Sequence, residues 1–171
     1  MKIVLSVLTF LTFAFAISVS AQNNADAAKL LEMKQYTAAK SAFISHLKQG
    51  NQATDLFNLG RIYSILNKKD SADYYFSQIQ LSDPKSPYTG LVQVMNLLNT
   101  GNKTDGFSQL EKVNKQAVSA KDVNLLIEIA SVRYEAGDTA GWIQTLNQAS
   151  VIDRKNPKPY IRAGEIYQLM G

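Results

Sequence analysis

The sequence has no cysteine, one histidine, one tryptophan, and nowhere more than two basic residues in a row. Each shortage removes a class of chemistry. Without cysteine there is no disulfide framework, no thiolate metal ligand and no residue to carry a lipid after processing. With His46 as the sole imidazole, no zinc constellation can be written, and a serine or threonine nucleophile has a single candidate base. The nine glycines stand mostly alone and none follows a strand in a Gly-rich run, so no phosphate-cradling loop is present. The paired acids Glu128 and Glu135 read as a solvated helical face. These residues point to a protein that is not an enzyme and needs neither cofactor nor metal.

Charge is equally uninformative about polyanions. The formal net charge is +4 over 171 residues, and the scattered lysines and arginines form no stripe able to neutralise several phosphates together, which argues against nucleic-acid binding. With 46% apolar residues the chain can nevertheless bury enough surface to fold.

One apolar run does occur. Met1 to Ala21 carries Lys2, an apolar stretch from Ile3 to Ile17, and the ending Val19-Ser20-Ala21. That is the layout of a secretory signal peptide over 1–21, cut before Gln22. The chain is expected to be exported to the periplasm or cell envelope, or secreted, with no membrane span once the segment is removed.

The remaining sequence repeats itself. Gly60, Tyr63, Ala72, Phe76 and Ile79 step forward by 34 onto Val94, Leu97, Gly106, Leu110 and Val113. A further 36 reaches Ala130, Arg133, Trp142, Leu146 and Ala149, and a further 34 reaches Gly164 and Tyr167. Backward by 33 lie Ala27, Leu30, Ala39, Phe43 and His46. Within a copy, Leu56, Leu59, Tyr63 and Leu66 share one helical face and Ala72, Tyr75, Phe76 and Ile79 another. A polar turn separates them, and Asp83-Pro84 ends the unit because proline cannot continue a helix. The unit is a helix-turn-helix of about 34 residues.

This pattern resembles the tetratricopeptide repeat. In the copy at 53–86, Leu56, Leu59-Gly60, Tyr63, Ala72, Phe76 and Pro84 stand where that family places its large, small and helix-ending residues. The resemblance covers copies at about 20–52, 53–86, 87–120 and 123–156, plus a first helix at 157–171. It implies an all-α, right-handed solenoid of stacked hairpins over 22–171. Small residues are expected at the helix crossings: Gly60 against Ala72, Ala27 against Ala39, and Gly106 compensating for Val94. Trp142 opposite Ala130 should splay or rotate its hairpin, and it reads as a packed core residue. His46, in the slot of Ile79 and Val113, reads as a partly buried structural histidine.

In this family the face lined by first helices usually binds a peptide or a partner's helix. The corresponding slots hold Thr54, Phe57, Arg61 and Ser64, then Tyr88, Leu91, Met95 and Leu98, then Asn124, Ile127, Ser131 and Tyr134. Phe57, Arg61, Tyr88, Leu91, Met95, Ile127 and Tyr134 are the candidate residues for binding a protein or peptide, and Phe57, Arg61, Tyr88, Met95 and Tyr134 are expected to form one partly exposed surface. Leu91 and Ile127 serve packing between repeats equally well. The resulting expectation is an interaction module or scaffold, the alternative being the repeat arm of a longer envelope enzyme or peptidoglycan-anchored protein. The tripeptides Asp70-Ser71-Ala72 and Asp138-Thr139-Ala140 resemble acceptor sites for bacterial O-glycosylation, but helix capping by the aspartates explains both.

Overall fold

The computed structural model describes residues 27–50 and 53–170; the expected signal segment lies outside them. Among the described residues all regular structure is helical: α1 over 27–32, α2 Tyr36–Leu47, α3 Ala53–Ile65, α4 Lys69–Ser82, α5 Pro87–Asn99, α6 Lys103–Ala120, α7 Val123–Glu135, α8 Thr139–Ile152 and α9 Lys158–Met170. The chain forms two compact units, one ending at Ser82 and one starting at Asp83. The first holds the hairpins α1–α2 and α3–α4. The second holds α5–α6, α7–α8 and α9.

The repeat is written into the backbone. Lys34, Asn67, Gly101 and Gly137 have positive φ, between 55° and 83°, and they succeed one another at the same steps of 33, 34 and 36 as the side-chain markers. Each reverses the chain inside a hairpin. In each case the next residue's N–H reaches back to a carbonyl five positions earlier: Gln35 to Leu30 at 2.9 Å, Lys68 to Tyr63 at 2.9 Å, Asn102 to Leu97 at 2.9 Å and Asp138 to Arg133 at 2.8 Å. This left-handed cap satisfies carbonyls that the helix end would otherwise orphan. Lys121 makes the same reversal between α6 and α7, with φ 54°.

Helix starts are set by side chains. Ser86, Asn102, Asp122 and Asp138 accept from the backbone N–H of Tyr88, Asp105, Leu125 and Gly141 respectively. Asp138 thus caps α8 as its tripeptide suggested, whereas Asp70 lies within the first turn of α4, where a negative charge suits the helix dipole.

In the first unit α3 packs on α2 and α4, over a core of Ala27, Leu31, Ala39, Phe43, Leu59 and Ile62. The small-residue crossing differs in detail from expectation. A Cβ on Gly60 would overlap the ring of Phe76, one turn beyond Ala72. A Cβ on Gly106 would meet Leu98 Cδ2 at 2.8 Å, so it makes room for Leu98 rather than Val94. In both hairpins a side chain one helical turn from the expected partner leans over the glycine, because helical side chains tilt toward the N-terminus.

In the second unit each helix packs on the next, and α5 also touches α7, α6 touches α8 and α7 touches α9. First helices therefore stack on first helices and second on second, which makes this unit a run of tetratricopeptide-like hairpins. Two hydrogen bonds join residues 34 apart: Asn114 Nδ2 donates to Gln148 Oε1 at 3.0 Å, and Lys158 Nζ to Asn124 Oδ1 at 3.3 Å. Trp142 is wholly buried, with Ile127, Ala130 and Leu146. The α7–α8 hairpin stays closely packed around it, since Ala130 leaves room for the indole.

Candidate partner-binding face

The first helices α3 and α7 are inner elements. Every residue of α3 from Asp55 to Ile62 is buried, as is every residue of α7 from Leu125 to Arg133. The second helix α4 buries only Ala72, Phe76 and Ile79. A helix enclosed on all sides is normally apolar throughout. These two carry Asp55, Asn58, Arg61, Glu128, Ser131 and Arg133, so polar groups have been taken out of water and must be held.

The candidate slots sort by depth. Phe57, Leu91 and Ile127 occupy one slot in three successive copies, and all are buried. Arg61, Met95 and Ser131 occupy the slot one turn on, and these are buried too. The slot at the helix ends, Ser64, Leu98 and Tyr134, is half-buried in every copy. The slot at the helix starts is mixed: Thr54 is half-buried, Tyr88 is 8% exposed and Asn124 is exposed. The expectation of a partly exposed surface thus fails for Phe57, Arg61, Tyr88 and Met95 and holds for Tyr134, while Leu91 and Ile127 are buried, as a packing role requires. The middle of an inner helix has neighbours all round, while its ends do not.

In the first unit Phe57 lies 6.0 Å, centroid to centroid, from Phe76. Arg61 stands over the Phe57 ring at 5.8 Å and donates from Nη1 to Asn58 Oδ1 at 2.7 Å. Arginine here combines a ring contact with a directed hydrogen bond. In the second unit Tyr134 tilts against Trp142 at 5.8 Å, and Ile127 belongs to the same cluster.

Three features escaped sequence reasoning. Glu128 is buried, not solvated. Arg133, in the slot that Tyr63 fills elsewhere, is buried and donates to Asp138 Oδ2 at 2.6 Å and to Glu111 on α6. His46 on α2 faces Asp55 on α3, with Nδ1 3.6 Å from Oδ1 and both side chains buried. Burial pushes the Asp55 carboxyl above its ordinary range, and the His46 charge opposes that rise. The one available signal was the departure of Arg133 and His46 from apolar slots.

Among the described residues no group of acids and histidine is arranged to hold a metal ion, and no helix is long and apolar enough to cross a membrane. No protein-family model matches the sequence, and no curated protein matches it. The chain is similar to the crystal structure of TTC0263, a thermophilic TPR protein in Thermus thermophilus, at 19% identity and TM-score 0.45, over 89% of this chain and 83% of that one. It is also similar to YrrB, a TPR protein with an unusual peptide-binding site, at 15% identity and TM-score 0.40, over 85% of this chain and 74% of that one.

Proposed function

We propose that this chain is a non-enzymatic interaction module of the cell envelope that holds a peptide or helical segment of a protein partner along the first helices of its second unit. The observation that carries the reading is the recurrence, at the repeat spacing within that unit, of residue types enriched at interfaces: Tyr88 and Met95 on α5, then Tyr134 on α7. Within that face the buried residues shape the surface and the accessible ends make contact. In the second unit these ends are Leu98, Asn124 and Tyr134. Tyrosine suits the task because it offers apolar area and a hydroxyl together. Export is supported by the layout of Met1 to Ala21.

The test uses the processed chain with Asn124→Ala and Tyr134→Ser, singly and together. Each should weaken capture of the envelope partner, by about tenfold or more for a hot-spot residue, with helical content and melting midpoint close to the parent. Unchanged capture by the folded double variant rejects this face. N-terminal sequencing of the protein recovered from the envelope fraction should begin at Gln22; a chain beginning at Met1 rejects export by cleavage.

A further inference from the structure

The His46–Asp55 contact is unused by partner binding and lies where two repeats join. His46 sits in the last turn of α2, and Asp55 in the first turn of α3. Both are at least nine-tenths buried. Their approach of 3.6 Å is an ion-pair distance and longer than a hydrogen bond. His46 Nδ1 and Asp55 Oδ2 have no hydrogen-bond partner among the described residues, and the Phe43 ring meets the imidazole edge-on at 6.2 Å. The helix ends favour the charged forms, a cation at the C-terminus of α2 and an anion at the N-terminus of α3. Burial in apolar surroundings opposes an unneutralised charge.

We propose that His46 and Asp55 form a proton-operated fastening between the first two repeats, tight while the pair holds a proton and loosened when it is lost. With the proton present Asp55 is a neutral acid beside the imidazole. With the proton gone it is a buried carboxylate whose Oδ2 has no hydrogen-bond partner among the described residues.

The other charged groups of these helices are committed elsewhere or exposed. Arg61 bonds Asn58, Lys40 stands over the Tyr63 ring at 5.8 Å, and Lys48 is exposed. Glu32 on α1 has buried carboxylate oxygens and is itself engaged. Of these groups, His46 is the one whose charge acts on Asp55.

The sign follows from linkage. A carboxyl whose folded value lies above its unfolded one binds protons more tightly when folded. Its contribution is complete below the unfolded value of about 3.9 and is lost as pH rises through the folded value. Acid should therefore tighten this joint and alkali loosen it, opposite to the usual acid-labile carboxylate.

The test is hydrogen exchange on the processed full chain between pH 4.5 and 7.5, corrected for intrinsic rates. Protection of the α2 amides should fall by about tenfold across this range, while the α7–α8 amides change less than about twofold. Asp55→Asn, nearly isosteric, should make α2 protection independent of pH. His46→Gln should keep a pH dependence and lower protection at pH 7.5. Glu32→Gln should leave the wild-type profile intact. A flat wild-type profile overturns the fastening, as does a profile that survives Asp55→Asn or vanishes in Glu32→Gln. The wild-type and His46→Gln profiles decide the matter even if Asp55→Asn fails to fold.

Discussion

Gly60 of α3 lies directly under the ring of Phe76 of α4, so closely that a single methyl group at residue 60 would overlap three ring carbons. Both helices of that hairpin depend on this contact. The ring also touches Phe57, so moving it disturbs the inner helix on two sides.

Gly60→Leu should therefore destabilise the protein by about 1–3 kcal/mol or more, because overpacking forces side chains off their rotamers. The loss is to be read as a lower urea midpoint. Phe76→Ala alone should cost about 3–5 kcal/mol by leaving a cavity. The two changes together should cost less than their sum, since the leucine fills space that the ring vacates. Strict additivity would show that the glycine and the ring do not meet.

Lys121 adopts φ 54° at the end of α6, a conformation costing a side-chain-bearing residue about 1–2 kcal/mol. Lys121→Gly should raise stability, by roughly 0.5–1 kcal/mol once the greater freedom of glycine in the unfolded chain is subtracted. The corresponding Gly137→Ala, at φ 83°, should lower it by a similar amount. Thermal melts of the two variants should move in opposite directions.

Asp122 and Asp138 each cap a helix, but only Asp138 also receives Arg133. Asp122→Ala should cost about 1 kcal/mol, the usual loss of an N-cap. Asp138→Ala should cost more by about 1.5–3 kcal/mol, the range for hydrogen bonds to charged groups. The excess should disappear when both aspartates are compared in an Arg133→Met background. Equal losses in the parent would mean that the Arg133 contact contributes nothing.

The Asp55 and His46 variants carry the pH test of the first joint, and the Asn124 and Tyr134 variants carry the partner test. The two sets lie in different units, so failure of one leaves the other standing.

The hairpins and their spacing were legible in the sequence because their causes are local. Apolar residues three and four apart make an amphipathic helix wherever they occur. Glycine and asparagine at a helix end announce a left-handed reversal, so Asn67, Gly101 and Gly137 marked their turns directly. Lys34 and Lys121 adopt the same reversal with no residue type to announce it. The burial of Trp142 was legible too, from size and slot.

Which face of a first helix reaches solvent was decided only by the tertiary structure. Phe57, Leu91 and Ile127 share a periodicity that fits a binding stripe and an inter-repeat seam equally well. Only the neighbouring helices place that slot inside and leave Tyr134, at the helix end, half open. His46 with Asp55, Arg133 with Glu111, and Phe76 over Gly60 were hidden for the same reason. Each pairs side chains on different helices, and their meeting depends on how those helices pack, which residue spacing within one helix does not specify.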